Sequence, residues 1–479
     1  MISGRDIVYI SSIEWSFLWQ GHQEIARRLA EAGNRVLYVE NTGVRAPTLR
    51  DAGRVAFRLN RWARALASSG VREVAPNIYV CSPLVLPPFG PRWGRELNRR
   101  LLLPLVRRAA RRLGMKDVLF WTYLPTDTTL DLIRLMRGRR SGVAYYCVAD
   151  FTQLTPHADA LRRSEQQTVE QSEVVFTNCS ALARSFARWN PHTHVFPFGV
   201  NLDAFRLDVA TPGGQSERRQ PTFTPAHATD AHGANNSEAS DKVSEKNSAV
   251  IAHQTSVADR TSTAVRAAVA VTSAQTAAVT GEVASGNGHR PASASELSGL
   301  PRPVIGYVGG MHKHVAFELL GEMARARPLW SWVCVGALQA DVKALAGLPN
   351  VYLLGQRPHG ELAGLVAQFD VCIVPYVNSV YTETVVPTKI NEYLAMGKPV
   401  VSTDLPTVRE FNEEHDVLLT AEARAASFLD AVERALRLPN DAATVAHRRR
   451  VAELGDWGSR FEAMVRLFEE RLEAKGDGR

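Results

Sequence analysis

A fifteen-residue stretch, PTKINEYLAMGKPVV from Pro387 to Val401, combines a helix start, a carboxylate among apolar residues and a strand. Pro387 suits the first position of a helix, so the backbone N–H groups of Thr388 and Lys389 would lie free at the positive end of the helix dipole. A diphosphate is stabilised at such a position, and the Lys389 side chain adds a full positive charge. The stretch therefore predicts a site for a nucleotide sugar.

Glu392 belongs to the same predicted helix, on the face whose apolar residues would pack on a sheet. A lone carboxylate on such a face is costly unless another group donates hydrogen bonds to it. The hydroxyl groups of a ribose would do so, which predicts a donor-binding role for Glu392. The alternative is a salt bridge between Glu392 and a structural arginine. The helix is predicted to end at Gly397, before a strand that begins at Val400.

The elements around this stretch form two series of short apolar strands separated by helical patterns. The strands predicted in the first series are Asp6 to Ser11, Arg35 to Glu40, Ile78 to Cys81, Val118 to Trp121, Val143 to Cys147, Val174 to Thr177 and His194 to Phe196. Those in the second series are Val304 to Val308, Trp330 to Val335, Val351 to Leu354, Val371 to Pro375, Val400 to Thr403 and Val417 to Leu419. This alternation predicts an α/β fold with two Rossmann-like, doubly wound sheets and a ligand cleft at the carboxyl ends of their strands.

The two series are separated by a segment of different composition. Residues 209–296 contain no Leu, Trp, Tyr, Met or Cys, and Phe223 is their only aromatic residue. A segment of this composition cannot bury a core. We therefore predict an N-terminal domain at 1–208, a long disordered insertion at 209–300 and a C-terminal domain at 301–479 that ends in helices. The length of 479 residues suits this division.

Basic residues are concentrated in the first half of the chain. Between Arg45 and Arg112 there are fifteen Arg and only three acidic residues, and 92–112 mixes eight Arg with Trp93 and several leucines. This pattern is typical of a surface that lies on anionic lipid head groups. A solvated charged helix is the alternative, and we predict no nucleic-acid partner because no recognition motif accompanies the charge.

Two further features bear on location and chemistry. No apolar run approaches the length of a membrane span, and the first residues lead directly into a strand, so we expect a cytoplasmic protein. The cysteines are scattered and odd in number, which predicts core residues and neither a disulfide framework nor a zinc site. They are Cys81, Cys147, Cys179, Cys334 and Cys372.

Outside 209–300 the sequence resembles the GT-B glycosyltransferases of glycosyltransferase family 4, in particular bacterial enzymes that build surface polysaccharides. Besides the stretch from Pro387, the runs that carry the resemblance are WSFLWQGHQEIARRLAEAGNRVLYVENTGVR, EVVFTNCSALARSFARWNPHTHVFPFGVNLDAF, IGYVGGMHKH and NVYLLGQRPHGELAGLVAQFDVCIVPY. The resemblance implies that the C-terminal domain binds a nucleotide-diphosphate sugar and the N-terminal domain presents the acceptor. It implies that neither a metal nor another cofactor is required.

The resemblance also assigns residues to the donor site. Glu392 matches the second acid of the family pattern Glu, seven residues, Glu, whose usual role is to hold the donor ribose. Eight positions earlier this chain has Thr384, beside the carboxylate of Glu383. Whether Glu383 contacts the donor sugar or Thr384 replaces that contact is open.

A second group of donor residues follows the first strand of the C-terminal domain. Gly309 matches the glycine that ends this strand in the family, but the Arg that commonly comes next is Gly310 here. Lys313 is our candidate replacement, because a cation near the leaving diphosphate stabilises the charge that develops as the glycosidic bond breaks. A surface lysine without a function is the alternative. Lys389 is the other candidate cation.

Three residues of the N-terminal domain complete the predicted site. Gly21 opens a helix where the family uses small residues to let the backbone approach the donor phosphate, although many strand-to-helix turns need a glycine. Tyr123 stands in for a histidine that the family often has near the transferred sugar. Asp150 is predicted to orient an acceptor hydroxyl, with capping of the next segment as the alternative and no role as general base.

The resemblance implies transfer of a sugar to a glycan or a polyprenyl-linked acceptor in cell-surface polysaccharide biosynthesis. The resemblance implies retention of configuration, with the leaving diphosphate as base. If the acceptor is lipid-linked, the Arg-rich segment 45–112 would contact the inner face of the cytoplasmic membrane. Two alternatives stay open because three family positions differ: a non-catalytic scaffold that binds nucleotide sugars, and a nucleotide-sugar epimerase.

Overall fold

A computed structural model describes residues 2–16, 19–40, 71–83, 85–205 and 294–477. The predicted insertion therefore lies outside the described residues apart from 294–300. The same holds for 45–70, the first part of the Arg-rich segment. The domain limits at 208 and 301 stay predictions.

The N-terminal half forms one sheet with helices on both sides. Its strands are β1 (Asp6–Ile10), β2 (Arg35–Val39), β3 (Arg72–Ala75), β4 (Ile78–Cys81), β5 (Leu119–Thr122), β6 (Val143–Cys147), β7 (Val174–Thr177) and β8 (Thr193–Val195). Its helices are α1 (Gly21–Glu31), α2 (Arg92–Leu97), α3 (Leu103–Arg112), α4 (Asp127–Met136), α5 (Ala158–Gln171) and α6 (Ser180–Ala187). A π-helical turn at Asn98–Leu102 joins α2 to α3, and 3-10 turns lie at Phe151–Leu154 and Leu202–Phe205. We call this half the N-terminal lobe.

The C-terminal half repeats the arrangement. Its strands are β9 (Val304–Val308), β10 (Ser331–Val335), β11 (Val351–Leu353), β12 (Val371–Val374), β13 (Val400–Thr403) and β14 (Leu419–Ala421). Its helices are α7 (Phe317–Ala326), α8 (His359–Val366), α9 (Lys389–Ala395), α10 (Pro406–His415), α11 (Ala425–Arg437), α12 (Ala442–Leu454) and α13 (Trp457–Asp477). Its 3-10 turns are Ala294–Gly299, Lys343–Leu345 and Thr382–Thr384. We call residues 301–456 the C-terminal lobe.

Both sheets have the crossover order of doubly wound folds. The first is ordered β3-β4-β2-β1-β5-β6-β7-β8 and the second β11-β10-β9-β12-β13-β14. Every pair in these sheets is parallel except β3 with β4. In β1, Ile7 and Tyr9 belong to one apolar cluster while Val8 and Ile10 belong to another, so the first sheet is buried on both faces. The predicted pair of Rossmann-like sheets is confirmed.

The last helix returns to the N-terminal lobe. Phe461, Met464 and Phe468 of α13 pack into the same apolar cluster as Tyr9 and Trp121. The chain thus passes between the lobes twice, once after β8 and once before α13. The two crossings run side by side, because Val200 and Asp456 form a parallel bridge. The lobes are therefore held together close to these crossings as well as by the contacts of their facing edges.

The predicted strands correspond closely to the observed ones, with ends that are the same or shifted by one or two residues. The strand that we did not predict is β3, an edge strand whose sequence, REVA, carries two charged residues and little apolar pattern. All five cysteines are buried and free, as predicted for core residues.

Candidate functional site

The site begins at the turn that follows β9. Gly309 has φ +143° and Gly336, at the end of β10, has φ +151°, values that L side chains rarely adopt. A Cβ atom on Gly336 would lie 1.9 Å from the Gly309 carbonyl oxygen. The Gly309 N–H donates to Val335 O at 2.8 Å, so the two strand ends are held in close contact. Two glycines are therefore required to bring these backbones together at the carboxyl edge of the sheet.

Lys389 lies against this turn. Its side chain is 8% exposed, and a Cβ on Gly309 would lie 2.8 Å from the Lys389 Cε. The ammonium donates to the Tyr376 hydroxyl at 2.6 Å and lies 5.1 Å from the centre of the Tyr307 ring. Within the described residues no carboxylate forms an ion pair with it. An ammonium has three N–H donors, so this buried cation retains donors for an anion at the strand ends.

The groups around Lys389 are aromatic and uncharged. The Tyr307 hydroxyl donates to the Gly310 carbonyl at 3.0 Å, and the ring of His312 lies 5.6 Å from that of Tyr376. Burial, followed by the charge of Lys389, lowers the pKa of His312 to about 4. His312 is therefore neutral at physiological pH and does not compete with Lys389 for an anion.

Glu392 lies one turn further along α9 and is half-buried. Burial raises the pKa of its carboxyl group, and the charges of His359 and Lys389 oppose this shift. In the described part of the chain the carboxylate has no hydrogen bond and no ion pair. The alternative of a structural arginine partner is thus not observed there. A partly desolvated carboxylate without donors suits a ligand that supplies hydroxyl groups.

The helix that carries both groups is anchored to β9. The Val308 N–H donates to the Tyr393 hydroxyl at 2.7 Å, which fixes α9 beside the end of that strand. The helix begins at Lys389 with Thr388 in the N-cap position, two residues later than predicted from Pro387. The first backbone hydrogen bonds of the helix are donated by the N–H groups of Ile390 and Asn391. The N–H groups of Thr388 and Lys389 come before these bonds, at the start of the helix. Gly397 ends the helix at φ +70°, as predicted.

Two other predicted residues are exposed. Lys313 forms no ion pair with any described residue. Glu383 lies on the 3-10 turn Thr382–Thr384. The donor roles of both residues stay predictions.

Thr384 and Asp150 meet where the two lobes face each other. The Asp150 N–H donates to the Thr384 Oγ1 at 3.2 Å. The Asp150 carboxylate accepts from the Thr152 N–H at 3.0 Å and from the Gln153 amide at 3.2 Å, so it caps the turn Phe151–Leu154. The capping alternative is therefore observed, and a role in orienting an acceptor stays a prediction.

The other two N-terminal residues are enclosed by packing. A Cβ on Gly21 would lie 2.6 Å from the Phe198 ring and 2.9 Å from Trp457, so packing against these rings by itself requires a glycine. Tyr123 has no exposed surface, and its hydroxyl accepts a hydrogen bond from Tyr9 at 2.9 Å. The donor role of Gly21 and the sugar contact of Tyr123 stay predictions.

Several residues of the site were missed from the sequence. Gly336 and Tyr376 directly follow the predicted strands β10 and β12, and that position was the available signal for both. His22, at the start of α1, lies with its ring 3.7 Å from that of Tyr123. Burial lowers the pKa of His22 to about 3, so it is neutral. Within the described residues no group of three or more His, Cys, Asp and Glu side chains is placed to hold a metal ion.

Two doubly wound lobes in one chain are the architecture of the GT-B class of α/β proteins. Solved structures of this class are similar over nearly the whole chain. Sucrose-phosphate synthase from Thermosynechococcus elongatus shares 16% identity with a TM-score of 0.60, over 98% of this chain and all of that one. HepE from Anabaena, solved with UDP and glucose, shares 13% with a TM-score of 0.53, over 98% of this chain and 99% of that one. The predicted GT-B fold is confirmed.

The family of the C-terminal lobe follows from its sequence. Residues 302–437 match the family described as glycosyl transferases group 1. The protein of Bacillus subtilis (strain 168) named as the teichuronic acid biosynthesis glycosyltransferase TuaH is 31% identical over 189 residues. That match covers 39% of this chain and 47% of the length of TuaH. The chain thus spans about half the length of this relative.

Proposed function

We propose that this protein is a glycosyltransferase that uses a nucleotide-diphosphate sugar as donor. The observation that carries the proposal is the buried ammonium of Lys389 beside the glycine turn at Gly309, with the Glu392 carboxylate one turn away. In the described residues the ammonium forms no ion pair and the carboxylate accepts no hydrogen bond. A nucleotide sugar has the complementary groups, because its diphosphate is an anion and its ribose carries hydroxyl donors. The match of residues 302–437 to the group 1 family supports the same activity.

In this proposal each group acts on a defined part of the donor. Lys389 and the N–H groups at the start of α9 bind the diphosphate and stabilise the charge that grows on it as the glycosidic bond breaks. Glu392 accepts hydrogen bonds from the ribose. The exposed Glu383 is the carboxylate available to the transferred sugar, because the Thr384 hydroxyl is already bound to Asp150. Lys313 supplies a second, solvent-exposed cation.

The finer parts of the proposal concern the acceptor and the stereochemistry. We propose transfer to a glycan or a polyprenyl-linked glycan of the cell surface, with retention, in a cytoplasmic protein without a resident cofactor. The name of TuaH, which refers to teichuronic acid biosynthesis, supports a polysaccharide product. The absence of an obvious protein base in the cluster around Lys389 agrees with the leaving diphosphate in that role.

The proposal is tested by a screen of nucleotide sugars for thermal stabilisation of the protein, followed by product analysis with the best one. A bound nucleotide sugar should raise the melting temperature in proportion to the logarithm of its concentration. Transfer to a glycan acceptor, or slow hydrolysis of the donor, is the expected result. Binding without turnover would favour the scaffold, and release of an epimerised nucleotide sugar would favour the epimerase.

Asp150 provides a test of the base. If Asp150 caps a turn and the diphosphate is the base, Asp150→Asn should retain most of the turnover, because asparagine also accepts the Thr152 N–H. Asp150→Ala should lower stability by about 1 kcal/mol through loss of the cap. Turnover and donor affinity of both variants would be compared with Asp127→Asn, a change at another partly buried acid of the N-terminal lobe. Near-total loss of turnover in Asp150→Asn with unchanged donor affinity would make Asp150 the base and contradict us.

We also propose that the segment 92–112 contacts an anionic membrane surface. Trp93 is 68% exposed and Leu101 is 60% exposed. Exposed arginines flank them, including Arg92, Arg99 and Arg108. Apolar side chains set among arginines are suited to the interface of anionic lipids. In the described residues no helix is long and apolar enough to cross a bilayer.

A sedimentation assay with anionic vesicles tests this surface. Changing Arg99, Arg100, Arg107 and Arg108 to Ser should weaken vesicle binding by about tenfold. Loss of four unpaired arginines would weaken binding more, but Arg99 and Arg100 already form ion pairs with Glu96. The matched control changes four exposed arginines of the C-terminal lobe, Arg424, Arg434, Arg437 and Arg450, and removes the same charge. Equal pelleting of the native protein and both variants would contradict the proposed membrane contact of 92–112.

A further inference from the structure

The facing edges of the two lobes are joined by hydrogen bonds to Thr384 and by one between Ser180 and Glu410. The Asn178 side-chain amide donates to the Thr384 carbonyl at 3.1 Å, and the Asp150 N–H donates to the Thr384 hydroxyl at 3.2 Å. Asn178 follows β7 and Asp150 follows β6, so the carboxyl edge of the N-terminal sheet binds both polar groups of Thr384. Val386, two residues after Thr384, packs against a buried cluster of the N-terminal lobe.

Asn178 is held by two carbonyl groups from different lobes. It is 2% exposed, and besides Thr384 its amide donates to the Val148 carbonyl at 2.7 Å. Its Oδ1 atom is buried and has no hydrogen-bond partner in the described residues. A buried acceptor without a partner costs free energy that an apolar side chain would not. The two hydrogen bonds that the amide donates offset this cost, and the one to Thr384 bridges the lobes.

The bridged residue lies directly before the helix that carries the donor groups. Five positions separate Thr384 from Lys389, and Pro387 between them restricts the backbone. The Val385 carbonyl also accepts from the Thr407 hydroxyl at 2.6 Å, which ties the segment to α10. A displacement of Thr384 would therefore be transmitted to the first turn of α9, where Lys389 lies.

We propose that Asn178 is a positioning residue that clamps Thr384 and so sets the start of α9 when the lobes close on the donor. The proposal rests on the proposed function, because the clamp would hold Lys389 and Glu392 in position to bind a nucleotide sugar. Asn178 itself does not contact the reacting atoms in this account. Its loss should lower the rate of transfer more than the affinity for the donor.

Asn178→Ala and Asn178→Asp test the clamp by kinetics, and Asn190→Ala is the matched control. Asn190 is also buried and donates to two carbonyls, Val169 O at 3.0 Å and Ser172 O at 2.7 Å, but both belong to its own lobe. Both Asn178 variants should lower kcat by about tenfold with less than about a twofold change in donor KM, as expected for loss of one buried hydrogen bond to the closed state. Asn190→Ala should leave kcat unchanged. Equal kcat values for all three variants would overturn the clamp.

Hydrogen exchange gives a second measurement that does not require turnover. In the ligand-free protein, amides of residues 382–389 should exchange about tenfold faster in Asn178→Ala than in the native protein, and Asn190→Ala should leave them unchanged. Equal exchange in all three proteins would overturn the clamp even if the protein transfers sugar. If no nucleotide sugar is a substrate, the proposed function fails, and faster exchange confined to Asn178→Ala would still support the clamp.

Discussion

Replacing Lys389 with methionine is expected to lower kcat/KM for the nucleotide sugar by about 10²–10³-fold, the loss seen when one charge-stabilising group is removed from an active site. The variant loses the cation that faces the diphosphate, and the lost interaction is strongest when charge develops on the leaving group. Methionine has a similar length and volume, so the close packing against Gly309 is preserved. The measurement is steady-state transfer with the donor found by the nucleotide-sugar screen.

The same variant should not lower thermal stability. Lys389 is a buried ammonium with no carboxylate partner in the described residues, and such a charge is costly to desolvate. Methionine removes that cost and gives up one hydrogen bond to Tyr376. The melting temperature should therefore be unchanged or higher, while the stabilisation by nucleotide sugar should be lost. This combination distinguishes a binding residue from a structural one.

Lys398→Met is the matched control for Lys389→Met. The Lys398 ammonium donates to the Ala367 carbonyl at 2.5 Å and to the Phe369 carbonyl at 2.9 Å, so it holds two backbone carbonyls at the end of α8. Its replacement should lower stability by about 1–2 kcal/mol and leave donor affinity within about twofold. Full activity in Lys389→Met would contradict the proposed diphosphate site.

Replacing Glu392 with alanine is expected to weaken donor binding by about a hundredfold, and with glutamine by about tenfold. Hydrogen bonds to charged groups contribute about 1.5–3 kcal/mol, and glutamine retains one acceptor oxygen without the charge. Donor dissociation constants from calorimetry provide the measurement. Glu361→Gln, a change at an exposed acid in the first turn of α8, is the control and should have no effect.

The pH dependence of Glu392 gives this prediction a second observable. Burial raises the pKa of its carboxyl group, so the folded protein holds this proton at a pH where an unfolded chain has released it. At pH values above the ordinary pKa of glutamate, ionisation of Glu392 therefore lowers the free energy of unfolding. The stability gain of Glu392→Gln should be absent in acid and should grow as the pH rises through the folded pKa. The donor affinity of the native protein should rise as Glu392 ionises, while that of Glu392→Gln should stay constant, because only the native protein gains an acceptor. Equal donor affinity and equal pH profiles for the two proteins would exclude a ribose contact.

Much of the C-terminal lobe was predictable because its sequence signals are local. Apolar runs bounded by polar residues predicted the strands, and Gly397 predicted the end of α9. The resemblance to the family placed Gly309 at the end of β9. The position of Lys389 beside the turn at Gly309 followed only from the fold, because the ends of β9 and the start of α9 are far apart in the sequence.

The N-terminal lobe was less predictable, for a physical reason that Gly21 and Asp150 illustrate. Gly21 occurs at a strand-to-helix turn, but the rings that exclude a side chain there, Phe198 and Trp457, come from distant parts of the chain. Asp150 is polar at a strand end, which suits a cap and a ligand equally well. Its partners, Thr152 and Gln153, decide in favour of the cap. The strand β3 was missed because an edge strand needs little apolar pattern.

The amino-acid sequence by itself determined the two parallel sheets, the helix that carries Lys389 and Glu392, and the glycine turn opposite it, since these depend on residue type and short-range spacing. Only the tertiary structure decided what surrounds them. The bonds from Asn178 and Asp150 to Thr384 span 206 and 234 residues, and such contacts depend on how the lobes dock. Docking buries surfaces that no local pattern distinguishes from exposed ones, so the link between the lobes could be found only once they were folded together.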